Sequence, residues 1–405
     1  MSYKYLKKCR GCGSNYFLKY LNLGYQPLAN SFLKKKELIN EKKYPLELIL
    51  CQKCKLSQLS IVVSSKKIFN DYDYLSSSSM ALREHYKKLV NYILKNYKVK
   101  KNENVLDIGC NDGVLLANYG DDLNIIGVEP SNVCKFIRDK RIKVYNNFFD
   151  RKLALIIKKK YKNIKVITMT NVLAHIDNLN DIIANISIIL SDNGIFVIEV
   201  PYIYDMLKKY TFDVVYHEHL SYFSLSSLKY IFNKNKFKIY DVKRIKFGAS
   251  GPCLRIFVQK KNILNSKKSV NKLLKFEKKI GLNSDEIYVK FSSGVNKVIQ
   301  KIQKKIDFFK KKKIPLACYT APAKGNTLLN ALNLNNSAIK YVSENNKKKI
   351  GKYTPGTHLK IVTDKFLEKN KIKYSILLSW NYKNFFLKNS RFIKTGGKFI
   401  IPFSK

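Results

Sequence analysis

The sequence predicts an α/β protein centred on a doubly wound, mostly parallel sheet with one antiparallel strand. A four-cysteine module precedes the sheet and a smaller α/β unit follows it. Three observations carry this. Strand-like and helical runs alternate from Glu103 to about Lys260, the pattern of parallel strands joined by crossovers. A loop bounded by Gly109 and Gly113 follows the first of those strands, as where a backbone must approach a ligand closely. Two C-x-x-C pairs, Cys9/Cys12 and Cys51/Cys54, stand near the N-terminus.

The elements are justified in chain order. In CRGC and CQKC the two intervening residues let both thiolates of a pair bind one ion through a tight turn, and two such knuckles complete a tetrahedral site. With all four positions cysteine, no ligand position is left open, so the expected zinc is structural. The long spacer between the knuckles predicts a hairpin or small lobe. The other four of the eight cysteines are scattered singly, which fits a reducing compartment with a metal site rather than a disulfide framework. Turn-like Asp71–Ser79 precedes a helix over Met80–Tyr97. Strands are expected at Asn104–Ile108, Ile125–Val128, Lys143–Tyr145, Ile164–Met169 and Ile195–Val200, with helices between them, one starting just after the glycine loop. Phe237–Val242 and Leu254–Val258, with no long helix between them, supply the antiparallel element. Asn262–Lys313 is lysine-rich and helical in period, a connector or helical pair. A second strand-loop-helix, Ile314–Leu332, opens the last unit, with strands at Ile339–Val342, Tyr374–Ser379 and Lys398–Pro402.

The bulk numbers bound the function. A chain of 405 residues, 45% hydrophobic, has material for two or three packed domains. No apolar run reaches the roughly 18 residues of a membrane span, and MSYKYLKKC lacks the apolar stretch of a signal peptide, so a soluble cytoplasmic protein is expected. The formal charge of +48 raises a nucleic-acid partner, yet lysine far outnumbers arginine and is dispersed. A nucleic-acid binder concentrates its basic residues with stacking aromatics, so compositional bias is the expected cause, and no nucleic-acid or membrane partner is expected. A positive field still favours an anionic small substrate.

VLDIGCNDGVLL (Val105–Leu116) resembles the first motif of class I methyltransferases, D-x-G-x-x-x-G. The resemblance places the methionine part of S-adenosylmethionine on the loop, with Asp107, Gly109, Cys110, Asn111 and Gly113 at the cofactor. Glu129, ending the next strand in GVEPS, would bind the ribose hydroxyls, as acidic residues do in dinucleotide folds. Asn147 and Phe148 lie where the family places adenine, and Asn171 lines the same cleft. A dinucleotide oxidoreductase would need G-x-G-x-x-G, which the loop does not have.

VVYHEHLSYFS (Val214–Ser224) gathers Tyr216, His217, Glu218 and His219 in a chain with five histidines, and another, His175, stands in NVLAHI just after the fourth strand. HEH lacks the H-E-x-x-H spacing of a helical metal site. With these motifs, and with APAKGNTLLN (Ala321–Asn330) and GKYTPGTHLKI (Gly351–Ile361), nearly the whole chain resembles sugar C-methyltransferases acting on nucleotide-linked keto sugars. One departure is Thr320, where relatives commonly have glycine. The resemblance implies a zinc-binding module over residues 1–70, an S-adenosylmethionine-dependent methyltransferase domain over 71–261, and a helical connector with a C-terminal α/β substrate-binding domain over 262–405. It implies methyl transfer to C3 of a 4-keto-6-deoxy sugar through an enolate, in deoxysugar or polysaccharide synthesis. His219 would be the general base, Glu218 would tune it or hold a sugar hydroxyl, and Tyr216 and His175 would stabilise the enolate or position the ketone. Tyr74, with Tyr72 as its rival, would reach into the pocket. The Ala321–Asn330 loop would meet the diphosphate, with Lys324, Asn326, Tyr353, Thr354 and His358 at the substrate. An O- or N-methyltransferase, an RNA-binding protein or RNA methyltransferase, and a non-catalytic scaffold are the competing readings.

Overall fold

A computed structural model describes residues 3–64, 68, 75–246, 248, 251–260, 265–334 and 339–403. Tyr72 and Tyr74 lie outside these described residues. The N-terminal part comprises β1 (Tyr3–Tyr5), β2 (Phe17–Pro27), β3 (Lys43–Cys51), β4 (Ser57–Leu59) and β5 (Ile61–Val63). The spacer between the cysteine pairs forms the expected hairpin, with β2 antiparallel to β3 from Phe17↔Cys51 to Pro27↔Lys43.

Helix α1 (Met80–Asn96) is capped by Ser79, whose hydroxyl accepts from the Leu82 amide. The central sheet then builds through β6 (Asn104–Ile108), β7 (Asn124–Val128), β8 (Lys143–Tyr145), α2 (Arg151–Tyr161), β9 (Ile164–Thr170), α3 (Leu179–Ile189) and β10 (Leu190–Pro201). After α4 (Ile203–Lys209), β11 (Ser221–Tyr222) and α5 (Leu225–Lys234), the strands β12 (Phe237–Ile245) and β13 (Cys253–Lys260) complete it. The order is β12-β13-β10-β9-β6-β7-β8, and β13 runs antiparallel to both neighbours. Alternate residues face opposite layers. Val105, Val166 and Val197 pack with Leu89, Val90 and Ile93 of α1, while Leu106, Ile167 and Ile198 face Ile157 of α2 and Ile186 of α3.

One expectation fails here. No α-helix follows the glycine loop: only a 3-10 turn, Leu116–Asn118, precedes β7, and another, Asn132–Phe136, stands between β7 and β8. Residues 109–123 must include the loop and a second turn at Gly120, which leaves too little chain for an α-helical crossover.

Helices α6 (Lys268–Lys279) and α7 (Glu286–Lys311) form the expected helical pair. The C-terminal sheet is wholly parallel, built from β14 (Leu316–Tyr319), α8 (Ala323–Ala331), β15 (Ile339–Ser343), β16 (Lys360–Val362), α9 (Asp364–Lys369), β17 (Tyr374–Leu377), α10 (Lys383–Asn389), α11 (Arg391–Lys394) and β18 (Lys398–Ile400). Its order is β16-β15-β14-β17-β18. The short β16 was not expected from the sequence. Glu277 of α6, fully buried, accepts from the Leu225 and Ser226 amides and from the Tyr202 hydroxyl. It thereby caps α5 and ties the connector to the central sheet. Tyr288 and Phe291 of α7 pack edge-on to Tyr20 of β2, joining connector and cysteine module. No helix of the described residues is long and apolar enough to cross a membrane.

Candidate active site and metal centre

The Sγ atoms of Cys9, Cys12, Cys51 and Cys54 all lie within 4.8 Å of one another, with Cys9–Cys54 at 3.5 Å and Cys12–Cys51 at 3.4 Å. Thiolates around a tetrahedral zinc at about 2.3 Å stand roughly 3.8 Å apart, so the cluster fits zinc with little adjustment. Cys9, Cys51 and Cys54 are buried, as in a closed structural site.

A single cavity of about 2440 Å³ opens at the carboxyl ends of β6, β7 and β9 and is faced by the corresponding edge of the C-terminal sheet. Gly109 has φ +76°, and a Cβ there would stand 2.3 Å from Val172 Cγ2, so no side chain fits. Asn111 follows at φ +53°. Asp107 is buried and accepts from the Thr168 hydroxyl at 2.6 Å; burial pushes its carboxyl up to about 7. Glu129 accepts from the Asn111 amide at 2.9 Å through Oε2 and from the Ser131 amide at 2.9 Å through Oε1. Asn171, at φ +59°, has a buried Nδ2 without a partner. Asp107, Gly109, Cys110, Asn111, Glu129 and Asn171 all line the cavity, as does the 47%-exposed Phe148. Close backbone, buried acids and an exposed ring suit an adenosyl cofactor. Gly113 and Asn147 do not line it. Gly113 (φ +75°) turns the chain behind the loop, with Ile142 Cδ1 at 3.0 Å from where a Cβ would stand. Asn147 is solvent-exposed; its neighbour Asn146 instead donates to the Glu129 carbonyl at 2.7 Å.

Tyr216, His217, Glu218, His219 and His175 line the same cavity. His219 Nδ1 donates to the Val214 carbonyl at 3.1 Å; that carbonyl only accepts, so Nδ1 carries the hydrogen and Nε2 the lone pair. The Tyr216 hydroxyl donates to that lone pair at 2.9 Å. Burial, with His175 at 5.0 Å between ring centroids, lowers the His219 pKa to about 3. His175 Nδ1 donates to the Glu218 carbonyl at 2.7 Å, and burial lowers its pKa as well. Glu218 accepts from Asn30 Nδ2 at 2.7 Å, and burial pushes its carboxyl up to about 7. His217 donates from Nε2 to the Pro45 carbonyl at 3.1 Å.

The cysteine module holds this segment in place. Strand β11, directly after His219, pairs with β4, directly after Cys54: Ser221↔Gln58 and Tyr222↔Ser57. Arg10, between Cys9 and Cys12, is buried. It donates to the carbonyls of Leu59 at 2.7 Å and Ile61 at 3.1 Å, and to Asp177 Oδ1 at 2.9 Å beside the His175 turn. Nothing in the local sequence singles out Arg10, Asn30 or Asp177; only the three-dimensional pairing does.

Of the substrate-side expectations, the structure brings Lys324 to the cavity and not Asn326, Tyr353 or His358. Lys324 Nζ lies 4.5 Å from the centroid of the Trp380 ring and bonds Asn381 Oδ1; burial lowers its pKa to about 8 against the pull of Asp213. Asn326 is 1% exposed and donates to the Ala29 carbonyl at 2.6 Å. Tyr353 bridges Leu33, and His358 pairs with Glu41 at 2.8 Å. These three, with the buried Thr354 bonded to Thr357, seat the C-terminal unit on the cysteine module or brace its own loop.

Three family models match successive stretches: "putative zinc binding domain" over residues 9–69, "methyltransferase domain" over 80–242 and "C-methyltransferase C-terminal domain" over 249–404. The chain is 27% identical over 402 residues to the C-methyltransferase NovU of Streptomyces niveus, covering 98% of this chain and 95% of that protein. Among solved structures, magnesium protoporphyrin IX methyltransferase of Synechocystis PCC 6803 with bound SAH is 12% identical over 48% of this chain and 92% of that one, at a TM-score of 0.35. The YcgJ protein of Bacillus subtilis is 14% identical over 43% and 97%, at 0.33.

Proposed function

We propose that this S-adenosylmethionine-dependent C-methyltransferase, whose four cysteines hold zinc, methylates C3 of a nucleotide-linked 4-keto-6-deoxy sugar. On this reading the chain divides near residues 70 and 261 and works in the cytoplasm, supplying a branched deoxysugar for polysaccharide or glycoconjugate synthesis.

Methylating carbon needs a carbanion equivalent. A ketone beside the target carbon acidifies its proton and spreads the resulting charge onto oxygen, so the protein must supply a base and donors for that oxygen. The observation that carries the reading is His219, held neutral by burial and lining the cavity beside Tyr216. Tyr216 bonds its Nε2 lone pair. When the substrate proton moves to Nε2, the phenol is released to donate to the enolate oxygen. His175 positions the ketone, and Glu218 holds a sugar hydroxyl and raises the basicity of His219 once ionised. S-adenosylmethionine supplies the methyl group as an electrophile. Asp107, Gly109, Cys110, Asn111, Glu129, Phe148 and Asn171 would hold it at the sheet edge, and Lys324 would bring positive charge to the diphosphate. Tyr74, which lies outside the described residues, would on this reading reach into the pocket, with Tyr72 as its rival.

The test is product structure. With donor carrying a ¹³C methyl group and nucleoside-diphosphate 4-keto-6-deoxy sugars, two-dimensional NMR should place the label on the ring carbon next to the carbonyl. Label on oxygen or nitrogen would overturn the reading in favour of the O- or N-methyltransferase.

A further inference from the structure

The chain between β2 and β3, residues 28–42, belongs to the cysteine module by sequence, yet the C-terminal unit grips it along its length. The Ala29 carbonyl accepts from Asn326 Nδ2 of α8 at 2.6 Å. Lys349 Nζ lies 4.5 Å from the centroid of the Phe32 ring. Leu33 and Tyr353 exchange both of their main-chain hydrogen bonds, at 3.0 and 2.8 Å. The Glu41 carboxylate accepts from the Gly356 amide at 2.8 Å and bonds His358 Nε2 at 2.8 Å. Beside the first of these contacts the chain turns tightly. The Ser31 amide donates to the Leu28 carbonyl and the Phe32 amide to the Asn30 carbonyl, each at 3.0 Å. From this turn Asn30 reaches the proposed reaction centre, its Nδ2 donating to Glu218 Oε1 at 2.7 Å.

The surroundings of Glu218 give that one bond its weight. Glu218 is buried. Its titratable neighbours are His217 and His219 on either side in the chain and His175, whose Nδ1 donates to the Glu218 carbonyl. Burial lowers all three imidazoles, so near neutral pH none of them lends the carboxylate a positive charge. Among the described residues it is the Asn30 amide that opposes the effect of burial on the carboxyl, because a donor favours the ionised form. Asn30 is exposed to the cavity, so its place comes from the main chain on either side of it. That main chain is pinned at Ala29 by Asn326, which is buried beyond the reach of competing water, and at Leu33 by Tyr353.

We propose that Asn30 is a positioning residue for Glu218, supplied by the cysteine module and set in place by the C-terminal unit through Asn326 and Tyr353. The C-terminal unit thereby governs the ionisation of an acid that its own residues do not touch. The catalytic meaning of this rests on the role proposed above for Glu218, but the contact itself is tested without turnover. Zinc-loaded full-length protein carrying ¹³C-carboxyl glutamate, with S-adenosylhomocysteine bound, is titrated by NMR from about pH 5 to pH 9. The Glu218 signal is identified by its loss in Glu218→Gln. Asn30→Leu, similar in size and without a donor, should move the Glu218 midpoint up by about one pH unit or more, the worth of a donor to a charged acceptor. Asn326→Leu, remote from the cavity, should move it in the same direction. A merely structural role for either residue would lower the unfolding temperature and leave the midpoint where it is in wild type. The step in kcat against pH should move up with the midpoint in both variants. A wild-type midpoint in Asn30→Leu overturns the assignment, and the exposed position of Asn30 keeps that variant foldable. A wild-type midpoint in folded Asn326→Leu overturns the part given to the C-terminal unit. A midpoint that moves while the kcat step stays would uphold the positioning of Glu218 and overturn its role in the reaction, a failure distinct from the other two.

Discussion

His219 keeps its proton on Nδ1 against the Val214 carbonyl and is lowered to about 3 by burial and His175; His217, also buried, is lowered to about 4. Both are neutral in the folded protein at pH values where the unfolded imidazoles, near 6.5, take up protons. Below about pH 6.5 the unfolded state therefore binds more protons, and stability falls with falling pH by about 1.4 kcal/mol per pH unit for each such group. His219→Asn should flatten the acid limb of a plot of unfolding free energy against pH between about 4 and 6. An unchanged limb would mean that His219 is not held neutral by the fold. Glu218 runs the other way, pushed up to about 7 by burial against the hydrogen bond from Asn30. With the carboxylate as the working form, kcat should rise through a step near pH 7, and Glu218→Gln should remove the step and lower the plateau. A wild-type profile flat from pH 6 to 8 would contradict that role.

At the scale of elements, the cysteine module and the proposed reaction centre share a sheet: β4 follows the second knuckle, β11 follows His219, and the two pair. Arg10 ties the first knuckle to β4, β5 and Asp177. Arg10→Met should lower kcat about 10- to 100-fold, the usual cost of losing a group that orients a site. Zinc content and S-adenosylhomocysteine affinity should remain, because the glycine loop hangs from β6 and not from this sheet. Loss of cofactor binding in parallel with kcat would mean general destabilisation instead. How much of this was legible in the sequence follows from how far apart the interacting residues are. The central strands announce themselves as apolar runs because both faces are covered. The glycine loop, Glu129 and the two knuckles are local patterns whose chemistry depends on spacing. A two-residue strand such as β11 has no periodicity to read and exists only because β4 lies beside it. The same holds for Asn326, Tyr353 and His358, whose side-chain chemistry suggests a ligand while their neighbours turn out to be Ala29, Leu33 and Glu41.

Across the whole molecule, the cleft is framed by contacts between its parts. The Thr327 hydroxyl of α8 donates to the Val215 carbonyl at 3.0 Å, one residue before Tyr216. The single tryptophan, Trp380, donates from Nε1 to buried Asp213 at 2.6 Å. Burial pushes the Asp213 carboxyl up to about 6, with Lys324 and this indole opposing the shift. Trp380→Phe strands that carboxylate and should cost about 1–3 kcal/mol in denaturant unfolding; a change within 0.5 kcal/mol would show that this contact does not seat the C-terminal unit. Both sheets turn their carboxyl edges to one cavity, with the His175–Tyr216–Glu218–His219 group lining it. The central claim is that this group makes an enolate. The most direct measurement is solvent exchange: protein, nucleoside-diphosphate 4-keto-6-deoxy sugar and deuterium oxide, with no methyl donor, followed by proton NMR. The account predicts enzyme-dependent loss of the C3 proton signal, abolished in His219→Asn while S-adenosylhomocysteine still binds that variant. Exchange at C3 that survives His219→Asn, or methyl transfer to carbon without any exchange at C3 when S-adenosylhomocysteine fills the cofactor site, would contradict it.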